Sequence, residues 1–164
     1  MNSFHWIAHR GNVSAPNLDR ENHPNYVVEA IEQGFDVEID VWLIDDCWWL
    51  GHDAPEHSIA IGFFEKYHMH LWLHAKNKPA YDKLISEHAN FNTFSHTTEP
   101  SVMTSLGIEW VYPGYPLGEN SICVLPEIVP NSYNVSDLKK CKGICSDYIG
   151  KLFDQSFGKE KRTH

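Results

Sequence analysis

Two carboxylates one residue apart, Glu38 and Asp40, lie inside the apolar run "DVEIDVWL" at 36 to 43. Side chains of a strand alternate between faces, so this spacing puts both acids on one side and Val37, Ile39 and Val41 on the other. Like charges that close raise each other's pKa unless something positive stands between them, and a divalent cation on oxygen ligands is one solution. A solvent-facing strip on an edge strand would show the same pattern. The neighbouring motifs add chemistry: His9 and Arg10 close an apolar run before Gly11, and His52 follows Gly51 in "WWLGHD". Two histidines at loop mouths beside a carboxylate pair can serve as acid and base. With 11 histidines in the chain, each alone also reads as an ordinary surface or core residue. Lys76 follows another apolar run, where a cation could meet an anionic group.

Seven short apolar runs could position these groups as strands: 4–9, 36–43, 70–75, 91–96, 108–113, 121–126 and 143–148. Helical patterns fall between several of them. The clearest is "PNYVVEAIEQG", with Pro24 suited to a first turn, Gly34 just past the end, and Val27, Ala30 and Ile31 on one face. "KPAYDKLISEHA" predicts a second helix with Tyr81, Leu84 and Ile85 inward, and "SIAIGFFEKYH" and "EPSVMTSLG" predict two more. Strand–helix alternation implies a parallel sheet with crossovers, open or closed into a barrel. After residue 107 the spacers shrink, and "PGYPLGEN", with two prolines and two glycines, leaves no room for a full helix. Tyr112 and Glu127 end two of the later runs; the phenol could reach a site, and the carboxylate reads as a solvated loop charge. Trp42, Trp48 and Trp49 read first as packing or interface groups.

The chain of 164 residues is 42% hydrophobic and 21% charged, which suits one folded domain over 1–164. Its net charge is −9 and its basic residues are scattered except for the closing "GKEKRTH", so a phosphate-tracking surface for nucleic acid is not expected. A small anionic substrate fits an acidic protein if a bound cation supplies local positive charge. The opening "MNSFHWIAHRG" lacks a signal-peptide pattern and no stretch approaches about 18 apolar residues, so the expectation is a cytoplasmic chain with no integral membrane segment. Cys47, Cys123, Cys141 and Cys145 lack paired CxxC spacing and are expected to be reduced.

The ordered set "HRG" at 9–11, "EN" at Glu21 and Asn22, "EID" at 38–40 and "GHD" at 51–53 resembles the glycerophosphodiester phosphodiesterase family, within the wider group of phosphatidylinositol-specific phospholipase-like barrels. The clear portion spans residues 5–53, and "KGICSDY" resembles the family's closing strand. The resemblance implies an α/β fold, here a small or incomplete TIM-type (β/α) barrel with reduced helices in its second half. It implies His9 and His52 as the acid/base pair, and Arg10 with Lys76 as phosphate contacts. Glu38 and Asp40 become ligands of Mg²⁺ or Ca²⁺, with Glu21 supporting the metal and substrate region. Where the family carries a third acidic ligand two residues before a lysine, this chain has His74 before Lys76: as a nitrogen ligand it would admit Mn²⁺ or Zn²⁺, and as a substrate contact it would leave water to complete the metal's shell. The implied activity is metal-dependent hydrolysis of a small glycerophosphodiester-like substrate, as in lipid metabolism. A cyclising phospholipase-type lyase and a noncatalytic phosphate- or metal-binding module are the alternatives. A TIM barrel typically takes about 250 residues, so a chain this short would leave a strand edge or outer wall exposed, which homodimerisation could protect.

Overall fold

Each of the seven apolar runs becomes a strand in the computed structural model of the chain, which describes residues 3–157. In chain order the first half comprises β1 (His5–His9), α1 (Pro24–Glu32), β2 (Asp36–Ile44), β3 (Cys47–Leu50), β4 (His57–Ile59), α2 (Ile61–Tyr67), β5 (Leu71–Ala75) and α3 (Lys78–Glu87). The second half comprises β6 (Asn92–Phe94), β7 (Ser101–Met103), β8 (Glu109–Val111), β9 (Ser121–Val124), α4 (Val135–Lys140), β10 (Gly143–Ser146) and α5 (Ile149–Leu152). The closing basic cluster read from the sequence, at 158–164, lies outside the described residues, as do residues 1 and 2.

The seven strands pair in parallel in the order β6–β5–β2–β1–β10–β9–β8, with β7 antiparallel on β8 and the β3–β4 hairpin antiparallel on the far half of β2. The sheet curls: rings of Trp72 on β5 and Trp110 on β8, strands near opposite ends of that order, lie 5.6 Å apart, and Phe94 on β6 lies 4.7 Å from Trp110. Ser105 bridges the two ends, donating its N–H to the Thr93 carbonyl and accepting the Thr93 N–H on its hydroxyl. The result is a mixed α/β fold built on a curled half-barrel, with few helices in the second half.

Alternation along the strands divides the core. Ile7, Trp72, Phe94, Trp110, Ile122, Val124 and Cys145 fill the concave side, whereas Ala8, Val37, Ile39, Leu73 and Ile144 pack outward against the helices. The first helix buries Val27 and Ala30 and begins at Pro24, with the His23 imidazole accepting the Asn25 N–H. In α3, Asn77 caps the helix through Ala80 and clamps both backbone groups of Leu43 on β2, tying helix to strand.

Three expectations change. The segment 99–107 is strand β7 followed by a turn, because its apolar residues lack helical period and pair with β8. The pattern at 58–68 is split, with β4 ending at Ile59 before α2 begins. On α3 only Leu84 of the three apolar residues is buried; Tyr81 and Ile85 are more than a third exposed, since Ala80 and Leu84 define the inward stripe. All four cysteines are free, as expected for reduced thiols. Among the described residues no helix is long and apolar enough to cross a membrane.

Candidate functional site

Strand register brings the polar residues of the sequence together on the concave face. His9 stands opposite Glu38 in the β1–β2 pair, and Asp40 opposite His74 in the β2–β5 pair. After β1 the chain turns sharply, with Arg10 at φ 55° and Gly11 at φ 90°; a side chain at Gly11 would collide with the Tyr26 ring. That turn aims the Arg10 guanidinium back over the sheet. A cavity of about 100 Å³ at this end is lined by His9, Arg10, Glu38, Asp40, His52, His74, Trp110, Tyr112 and Val124.

The two central carboxylates differ sharply. Asp40 is held mainly through Oδ2, which accepts from the Asn22 side-chain amide at 2.9 Å and lies 3.3 Å from Arg10 Nε and 3.4 Å from His52 Nδ1, while its buried Oδ1 has charged neighbours but no hydrogen-bond partner among the described residues. Its Oδ1 lies 3.2 Å from His74 Nδ1 and 3.7 Å from Lys76 Nζ, and its N–H donates to Asn22 Oδ1. Burial pushes Asp40 up, but these donors and charges outweigh it and hold the carboxyl well below its ordinary value. Glu38 has no such company. Among the described residues only the imidazoles His9 Nε2 and His74 Nδ1 form ion-pair contacts with it, each at 3.8 Å, and its buried Oε2 has no hydrogen-bond partner. Burial, reinforced by the charge of Asp40, raises Glu38 above the usual carboxylate range.

A buried carboxylate oxygen without a donor is costly, and the residues around it fit a cation. Glu38, Asp40 and His74 each offer a ligand atom, all within 4.8 Å of one another. Two oxygens and an imidazole nitrogen suit Mn²⁺ or Zn²⁺ as well as Mg²⁺. His74 is fixed for this by face-to-face stacking on Phe94 at 4.9 Å. Glu21, the fourth residue implied as metal-supporting, lies outside that trio: its two oxygens accept from Arg10 Nη1 at 3.2 Å and Asn12 Nδ2 at 2.9 Å. It steadies the arginine.

The two histidines occupy different surroundings. His9 Nδ1 pairs with Asp147 Oδ1 at 2.7 Å, leaving Nε2 on the Glu38 side. Burial works against its charge, yet the Asp147 bond and the Glu38 charge prevail and raise its pKa. His52, with a side chain 40% exposed, lies with Nε2 3.1 Å from Arg10 Nη2 and Nδ1 3.4 Å from Asp40 Oδ2.

Three partners were missed as site residues by sequence reasoning. Asp147 follows β10 within "KGICSDY", and its side chain takes His9 and Asn12 at once. Asn12, fully buried, links Asp147 to Glu21 through one amide. Trp110 lines the cavity beside Tyr112. The position of Asp147 at a strand end was the available signal, as it was for Tyr112. Glu127 is not the solvated loop charge expected; its Oε1 accepts from Ser146 Oγ and the Asp147 N–H, because the left-handed turn at Leu125 (φ 45°) folds it back onto β10.

Comparisons of this chain with protein-family models, with curated proteins and with solved structures returned no match.

Proposed function

We propose that this chain is a metal-dependent phosphodiesterase acting on a small glycerophosphodiester-like substrate, built on a reduced TIM-type barrel. The observation that carries the reading is the convergence, in one cavity at the strand ends, of a carboxylate–imidazole trio, two further histidines and an arginine. Polar groups at the carboxyl ends of parallel strands are what that class of barrel uses for catalysis.

A divalent cation held by Glu38, Asp40 and His74 would offset the charge of the phosphate and polarise it. The chain's own groups supply the rest. Arg10 and Lys76, now resting on Asp40, are placed to turn toward phosphate oxygens and meet the negative charge that builds in the transition state. That turn releases His52 Nε2. One imidazole takes the proton of the nucleophile and the other gives a proton to the leaving alkoxide. Asp147 keeps the proton on His9 Nδ1 and the ring in register, so Nε2 is the atom that exchanges protons. The nucleophile is water in a hydrolase, or an adjacent substrate hydroxyl in a cyclising lyase.

The test is a ³¹P NMR time course on a panel of glycerophosphodiesters with Mg²⁺, Ca²⁺ or Mn²⁺. A monoester product identifies the hydrolase and a persistent cyclic phosphate the lyase. Metal binding without turnover of any member would leave a noncatalytic module.

A further inference from the structure

The cavity has two unlike walls. The strands β1, β2 and β5, Arg10 just after β1 and the loop at His52 supply its charged and imidazole side chains, while β8, the residue after it and β9 supply Trp110, Tyr112 and Val124. We propose that Tyr112 is a substrate-contacting residue whose phenol O–H donates to a non-bridging phosphate oxygen from this uncharged wall. The proposal rests on the phosphodiesterase reading and adds to it a neutral donor for the anion on the aromatic wall.

Three observations support the assignment. First, the phenol stays protonated: burial raises its pKa, and the negative charge of Glu38 adds to the rise. Toward an anion it is therefore a donor. Second, the ring lines the cavity together with Arg10, Glu38, Asp40 and His74. Third, the ring is held before any ligand arrives. It stacks on His96 at 3.5 Å with 17° between planes, and His96 is itself anchored through Nε2 to the Glu99 carbonyl at 2.8 Å. The Tyr112 N–H donates to the Pro100 carbonyl and its own carbonyl accepts from the Tyr133 hydroxyl. A fixed neutral donor loses nothing to rearrangement when charge develops, whereas Arg10 must first leave Glu21 and Asp40.

The experiment compares wild type with Tyr112→Phe, which deletes one oxygen and keeps the ring that stacks on His96. Inorganic phosphate is titrated calorimetrically in the presence of Mn²⁺, Mn²⁺ affinity is measured alone, and turnover of glycerophosphocholine is followed in parallel. The expected result is unchanged Mn²⁺ affinity, phosphate affinity lower by about tenfold or more, as for a lost hydrogen bond to a charged group, and a higher KM. Equal phosphate affinity in the two proteins, with wild type still turning over substrate, overturns the role of Tyr112 and leaves the phosphodiesterase reading standing. A wild type that neither binds phosphate nor cleaves the diester removes that reading, and the inference with it. A measurement on the unmutated chain guards against a variant that fails to fold: with fluorotyrosine at its seven tyrosines, phosphate should shift the ¹⁹F resonance of one buried ring, and an unmoved spectrum overturns the proposal.

Discussion

Strand β2 carries acids near both ends of the concave face of the half-barrel, and the two ends treat them differently. At its start, Asp36 is satisfied: His5 Nδ1 and the Trp72 indole reach Oδ2 at 3.1 and 3.3 Å, and His70 Nδ1 reaches Oδ1 at 3.2 Å. Two residues later, on the same face, Glu38 is more deeply buried, has two imidazoles no closer than 3.8 Å, and keeps an oxygen without a hydrogen bond. Asp36 latches one end of the half-barrel with its needs met. Glu38 belongs to a cluster, with Asp40 and His74, that could hold a cation. The same residue types on one strand thus become structure or chemistry according to burial and to which donors the flanking strands bring.

That contrast can be broken by substitution. The largest effect is expected at the acid/base pair: His52→Ala should lower turnover by about 10²- to 10⁴-fold, while Asp36→Asn leaves turnover within about twofold of wild type, since Asp36 sits at the other end of β2 and does not line the cavity. Steady-state kinetics on both proteins checks it. Next, Asp147→Asn should cost about a hundredfold in turnover, at the low end of what acid–base catalysis contributes. Without that carboxylate the downward pull of burial on His9 is less opposed, so a histidine NMR titration should show its pKa falling. Glu38→Gln should weaken Mn²⁺ by more than the roughly 10- to 100-fold seen when outer-shell partners of a metal are changed, with calorimetry as the readout.

The pH dependence follows from the same pair. Glu38 is raised in the folded chain, so as pH climbs through its elevated pKa the folded state must carry a buried charge, and stability without metal falls. Asp40 is depressed, so its stabilising contribution is present above the ordinary aspartate value and is lost as pH drops through the lowered one. Cations compete with the Glu38 proton. Mn²⁺ affinity should therefore rise with pH and binding should release protons, seen as a binding enthalpy that depends on the buffer. The smallest effect belongs to the satisfied acid: Asp36→Asn should cost about 1 kcal/mol in stability, the net worth of an ordinary hydrogen bond, measured by urea denaturation, with Mn²⁺ affinity unchanged.

Much of this architecture was legible because β2, β5 and β10 are continuous apolar runs flanked by turn residues. The alternation in "VEIDV" alone puts Glu38 and Asp40 on one face. Strand β7 was illegible for the converse reason: Ser101, Val102 and Met103 are at most half-buried on a sheet edge, and three residues carry no period. The His9–Asp147 pair spans 138 positions, and Asn12 reaches across 135 to the same carboxylate. Only the return of β10 beside β1 creates those contacts, and no local pattern announces them. The relief of Glu21 by Arg10 and Asn12 likewise depends on the left-handed turn at Arg10.

The most direct test is ³¹P NMR of glycerophosphocholine with wild-type protein and Mn²⁺, repeated with a chelator and with His52→Ala. The account predicts a growing monoester or cyclic phosphate resonance in the first sample and none in the other two. Equal cleavage in all three, or an unchanged substrate resonance in the first, would contradict it.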